Sequence, residues 1–184
     1  MTSYLGIDSS LEGTGLCLIT ASGDVVRAET VSTGLRGVAR LAAIKKRAEL
    51  FIPDDVEFAA FEGYSYHSVG LVFELGEIGG ILRLLVHERQ VTYVDVPPIN
   101  LKKFATGSTS AEKAHMIAAA RDAKASVDDD NQADAYFLAR IALACSQKDA
   151  VPLKRNQMEV VHRLLHPPAK KPRRRARRLV KNAV

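Results

Sequence analysis

Apolar and polar residues follow two periods along this chain, and the points where the period changes mark out its elements. Tyr4 to Asp8 is a short apolar run ending in an acid, and Gly15 to Thr20 is a second one. The turn residues Ala21-Ser22-Gly23-Asp24 follow, and Val25 to Val31 then alternates. These three segments predict an antiparallel meander, with Gly13 and Gly15 permitting the tight turn between the first two. Arg36 to Phe51 places Val38, Leu41, Ile44, Ala48 and Phe51 on one helical stripe that Pro53 stops. Val56 to Phe61, apolar except at Glu57, predicts a buried strand that ends at Glu62. From Ser68 to Glu88 the spacing is helical again, with Leu71, Leu75, Ile78, Leu82 and Leu85 on one face. Gly76, Gly79 and Gly80 make that helix costly in isolation and imply close packing against a neighbour.

Val91 to Val96 predicts a further strand, closed by Pro97-Pro98 and followed by a short basic segment, Leu101 to Phe104. Thr109 with Glu112 three residues on gives a capping-box signal for a helix to about Ala123. Asp128-Asp129-Asp130 opens the next helix, to about Gln147, with acids at the positive end of its dipole. A last helix covers 156–165. Three strands in a row, then helices alternating with two more strands, predict an α/β protein built on one mixed sheet flanked by helices.

A chain of 184 residues with 47% apolar content fits one domain with a full core. No apolar run approaches the ~18 residues of a membrane span, and Asp8 comes too early for a signal peptide. Cys17 and Cys145 have no metal-ligand spacing and read as small buried hydrophobes. The histidines show none either. The expectation is a cytoplasmic protein without disulfides, membrane contact or a small-molecule cofactor.

The net charge of +5 conceals an asymmetry. Residues 167–184 hold eight basic side chains and no acid; removing those eight from the chain's 26 leaves 18 basic against 21 acidic residues. The division predicts a mildly acidic domain over 1–166 and a cationic, disordered tail over 167–184. Such a tail, with Arg173, Arg174 and Arg175 at its centre, suits a phosphate-binding arm whose affinity for nucleic acid falls with salt. A solubilising segment is the alternative.

Four acids, Asp8, Glu62, Asp130 and Asp134, each stand where an apolar segment ends or a helix begins. Asp130 and Asp134, four apart, project from one helical face. Carboxylates gathered on buried backbone repel one another unless cations lie between them. Hard oxygen donors of this kind suit Mg²⁺ or Mn²⁺, and two such ions about 4 Å apart can serve an in-line phosphoryl displacement. Asp130 also has an ordinary explanation as a helix N-cap.

Gly6-Ile7-Asp8-Ser9-Ser10, Phe61-Glu62-Gly63-Tyr64 and Asp130-Asn131-Gln132-Ala133-Asp134-Ala135-Tyr136 stand in the order of three acidic motifs. Leu75-Gly76-Glu77-Ile78-Gly79-Gly80, Lys102-Lys103-Phe104-Ala105-Thr106-Gly107 and Ala111-Glu112-Lys113-Ala114 accompany them. Together, over roughly residues 3–147, they resemble the RuvC-type Holliday junction resolvases. The resemblance implies a ribonuclease H-like fold with a mixed five-stranded sheet, a homodimer, and paired Mg²⁺-dependent nicks in branched DNA. It implies two Mg²⁺ ions per site, replaceable by Mn²⁺, on Asp8, Glu62, Asp130 and Asp134. Lys113 would lie near the scissile phosphate, and Lys102 and Lys103 would contact the DNA backbone.

This chain departs from the bacterial pattern where Asn131 stands three residues before Asp134. Asp130 is the substitute third acid and Asp129 the second candidate. The basic C-terminus resembles divergent members found in bacteriophages and implies a phage or prophage origin. Tyr64 and Tyr66, with His67, suit stacking against unpaired bases, with surface or dimer packing as the alternative. Two other functions fit parts of the sequence. Asp8-Ser9-Ser10 with Gly13-Thr14-Gly15 also resembles the phosphate loop of sugar kinases and actin-like proteins. A protein that holds junctions through its basic regions, without cutting, would need none of the four acids.

Overall fold

A computed structural model describes residues 2–64, 72–147 and 152–168. The predicted meander forms as β1 (Ser3–Asp8), β2 (Thr14–Thr20) and β3 (Val25–Val31). With β4 (Val56–Glu62) and β5 (Thr92–Val96) it makes one five-stranded sheet in the order β3-β2-β1-β4-β5. The β1–β2 and β2–β3 pairs are antiparallel, whereas β1–β4 and β4–β5 are parallel. The expected mixed sheet is therefore present.

Six helices cover it: α1 (Gly37–Phe51), α2 (Val72–Glu88), α3 (Pro98–Thr106), α4 (Lys113–Asp122), α5 (Asp130–Ser146) and α6 (Arg155–Leu165). Alternation along β1 assigns the two cores. Tyr4 belongs to the layer that includes α5, with Tyr136, Leu138 and Ile141. Leu5 and Ile7 belong to the layer of α1 and α2, with Ile44, Phe51, Ile78 and Leu82. A central strand covered on both sides has no polar face, which is why β1 reads as an unbroken apolar run. Cys17 and Cys145 are both buried. Among the described residues, no helix is long and apolar enough to cross a membrane.

Two expectations need correction. The basic segment after Pro97-Pro98 is a helix, α3, with proline at its first turn, Leu101 and Phe104 buried and a left-handed Gly107 (φ 83°) closing it. Pro within the first turn and Gly just past the end are the ordinary punctuation of a helix. The capping-box expectation at Thr109 fails: Glu112 occupies the cap of α4, and its backbone N–H donates to His115 Nδ1 at 3.2 Å. The helix expected at Asp128-Asp129-Asp130 is present as α5, with Asp129 as its cap and Asp130 as its first residue. Ser68 to Leu71, Tyr66, His67 and the basic tail beyond Pro168 lie outside the described residues.

Candidate active site

The strand register brings two of the acids together. Ile7 stands opposite Phe61 on the parallel β1–β4 pair, so Asp8 and Glu62 end adjacent strands on one edge. α5 lies across that pair and contributes Asp134 from its second turn and Asp130 from its first. Asp8 is 6% exposed, among very few buried charged side chains.

The electrostatics follow from this crowding. Burial, the charge of Glu62 and a hydrogen bond to it hold the Asp8 carboxyl well above the ordinary carboxylate range, with Asp134 and Asp130 adding repulsion. Glu62 is raised by burial and partly relieved by the hydrogen bond from Asp8 and by the charge of Lys102. Asp8 and Glu62 are thus joined by a hydrogen bond, with burial raising both carboxyls. Burial first, then Glu62 and Asp130, push Asp134 up to about 7, with Lys102 and Lys113 pulling the other way. Among the described residues, Asp134 Oδ1 and the Ser9 hydroxyl are buried without a hydrogen-bond partner.

The four predicted acids therefore interact, but with unequal surroundings. Asp130 is ion-paired with Lys113, the first residue of α4. Asp129, the second candidate for the third acid, is engaged elsewhere. Thr30 Oγ1 donates to its two carboxylate oxygens at 2.8 and 2.7 Å, and Oδ1 accepts the Gln132 backbone N–H at 2.8 Å. The capping role open to Asp130 in the sequence thus belongs to its neighbour. Asn131 packs over the β1–β2 turn, where a Cβ on Gly13 would meet its side-chain nitrogen at 2.9 Å.

The two adjacent lysines of α3 diverge. Lys102 is close enough to draw on Glu62 and Asp134, whereas Lys103 pairs with Glu159 of α6 at 2.7 Å. α6 also closes the end of α3, since Asn156 Nδ2 donates to the Lys103 carbonyl at 2.8 Å. Tyr64, just past Glu62, is 44% exposed.

Arg83 of α2 ties the Glu62 end of the site together and was missed in the sequence. Its guanidinium lies over Phe61 and Tyr64, 4.7 and 4.8 Å from the ring centroids. It donates to Asp95 on β5 at 3.0 and 2.6 Å, to the Tyr64 hydroxyl at 3.1 Å and to the Glu62 carbonyl at 3.4 Å. The available signal was a lone cation in the apolar run Ile81-Leu82-Arg83-Leu84-Leu85.

Whether these residues suit divalent metal turns on donor chemistry and on what is left unpaired. The donors are hard oxygens, one carboxylate oxygen is buried with no hydrogen-bond partner among the described residues, and burial raises Asp8, Glu62 and Asp134 alike, a cost that a bound cation offsets. Among the described residues, however, no three acidic, histidine or cysteine side chains already surround one point. The Asp8–Glu62 hydrogen bond and the Lys113–Asp130 pair turn the carboxylates toward protein partners. The donor set fits a metal, and seating one requires those two internal contacts to open.

No family model matches the sequence. No curated protein sequence matches it. Among solved structures, RuvC of Thermus thermophilus aligns with a TM-score of 0.66 at 22% identity, over 82% of this chain and 99% of that one. T. thermophilus RuvC in complex with a Holliday junction substrate aligns with a TM-score of 0.64 at 20% identity, over 82% and 96%. This chain has the α/β, ribonuclease H-like fold of those structures.

Proposed function

We propose that this protein is a divalent-metal-dependent endonuclease that resolves four-way or related branched DNA junctions by paired phosphodiester nicks. The observation that carries the reading is the meeting of Asp8, Glu62 and Asp134, from two strand ends and a helix, as mutually repelling buried carboxylates. The fold shared with a junction-bound RuvC supplies the substrate class.

Asp8, Glu62, Asp130 and Asp134 would hold the metal, two Mg²⁺ ions per site with Mn²⁺ as a substitute. When bound, those ions supply activation of the attacking water and charge stabilisation on the leaving 3′ oxygen. Lys113, on a largely exposed stem at the mouth of the site, supplies positive charge to the scissile phosphate. Lys102 contributes a second positive charge beside Glu62 and Asp134. Lys103 and the arginines Arg173, Arg174 and Arg175 serve phosphate contacts further out. Tyr64, its ring supported by Arg83, and Tyr66 offer faces for an unpaired base.

Paired nicks call for two sites, and α2 offers a surface for a second copy. Phe73 is 88% exposed and Val72 and Leu84 are about half exposed. Between them, no atom of the described residues lies within 4 Å of a Cβ built on Gly76 or Gly80. A helix backbone bare at two glycines one turn apart allows close approach of another helix.

A junction-holding protein without nuclease activity is the competing reading, favoured by the inward-turned pairing of Asp8 with Glu62 and of Lys113 with Asp130. One gel separates the two: synthetic four-way, flap and linear duplex DNA, with and without Mg²⁺, using wild type and Asp134→Asn. Nicks in branched DNA only, dependent on Mg²⁺ and absent from the variant, are expected. Intact four-way DNA bound by the wild type in Mg²⁺ would favour the holding role.

A further inference from the structure

The Lys113–Asp130 pair joins the first residues of two helices, and its two ends are built differently. Asp130 is set beside the carboxylate group on α5, a helix whose side chains are mostly buried. Lys113 has a fixed base, because α4 is anchored by buried Met116 and Ala120. Its side chain, by contrast, is 83% exposed. Asp134 and Glu12 attract the same ammonium. Exposed lysine–carboxylate pairs are weak, about 0.2–1 kcal/mol, and exchange readily. A cation held by one weak contact at the edge of a repelling acidic group is placed to be replaced by a more highly charged one.

We propose that Lys113 is an exchangeable counter-ion, neutralising Asp130 in the metal-free protein and leaving it when a divalent cation takes that carboxylate. The released ammonium is then free for the DNA phosphate. The same side chain would serve the empty and the loaded site in turn, and metal binding would couple to DNA capture without movement of either helix. This inference rests on the reading of the acids as metal ligands. It differs from a fixed structural role, in which Lys113 would orient Asp130 in both states.

The full-length protein, free of DNA, provides the test through two measurements: Mn²⁺ affinity by electron paramagnetic resonance, and the Lys113 ammonium signal by nitrogen-15 NMR with Mg²⁺. Lys113→Met should bind Mn²⁺ about threefold to fivefold more tightly than wild type, the equivalent of removing one exposed pair. The Lys113 signal should move on Mg²⁺ addition toward its position in Asp130→Asn, a variant that lacks the pair from the start. Weaker Mn²⁺ binding by Lys113→Met, or a Lys113 signal unmoved at saturating Mg²⁺, would overturn the exchange and leave the metal centre standing. A wild type that binds neither ion would overturn the metal centre itself, and the exchange with it.

Discussion

A Cβ on Gly6 would stand 1.9 Å from the carbonyl oxygen of Ala135 and 2.5 Å from the backbone nitrogen of Ala139. Gly15 stands in the same relation to Asn131, at 2.2 Å from its carbonyl oxygen. Helix α5 is thus laid directly on the backbones of β1 and β2, and this depth is what brings Asp134 level with Asp8 and Glu62.

Gly6→Ala should therefore be severe, because the obstacle is backbone and cannot rotate away. A loss of about 3 kcal/mol or more in urea unfolding is expected. Gly80→Ala is the contrasting case: among the described residues nothing lies within 4 Å of its Cβ, and the gain in helix propensity should stabilise the monomer by about 1 kcal/mol. The same variant should weaken self-association, read by analytical ultracentrifugation, if α2 is where two copies meet.

Thr30 holds the start of α5 from the edge strand β3 through Asp129. Thr30→Val keeps the shape and removes the hydroxyl, and should cost about 1–2 kcal/mol. Thr30→Ser should recover most of that loss. Equal stability of the valine and serine variants would show that the hydrogen bond does not matter.

Arg83 acts through geometry more than charge, since one planar fork reaches Asp95, Tyr64 and the Gly79 carbonyl together. A lysine cannot reproduce that set. Arg83→Lys should lower the melting temperature and increase fast motion of the Tyr64 ring, measured by NMR relaxation, while the net charge stays constant. A Tyr64 ring as ordered as in wild type would refute this.

The pH dependence of stability has a fixed sign. Asp134 binds its proton more tightly in the folded chain, at about 7, than at its ordinary 3.8. Below about pH 4 both states carry the proton and the group contributes nothing. As pH rises toward 7 the unfolded chain ionises first, so metal-free stability falls, by roughly 4 kcal/mol for a shift of this size. Asp8, also raised, adds in the same direction. Urea unfolding between pH 5 and 8 should show a shallower decline for Asp134→Asn than for wild type, and Mg²⁺ should flatten the wild-type curve. Parallel slopes for the two proteins would mean that Asp134 is not strained.

Much of this arrangement could be read from the sequence because it rests on local rules. The unbroken apolar run to Asp8 and the alternation from Val25 to Val31 mark a central and an outer strand. The acids ending the two parallel strands follow from the same pattern. What could not be read depends on pairing across long separations. Thr30 with Asp129 is 99 residues apart in the chain, and it decided which aspartate caps α5. Arg83 with Asp95 joins a helix to a strand whose register no periodicity specifies. Helix α3 is hidden for a local reason, since two prolines after a strand mark its end and equally fit the first turn of a helix.

The central claim is that the clustered acids cut DNA, and a single assay reaches it. Wild type and Asp8→Asn are compared for binding and for Mg²⁺-dependent nicking of one synthetic four-way junction in the same reaction series. Both proteins should bind the junction, the wild type should nick two opposed strands only when Mg²⁺ is present, and Asp8→Asn should leave them whole. Junction DNA that the wild type binds but never nicks in Mg²⁺ or Mn²⁺, or nicking that survives in Asp8→Asn, would contradict it.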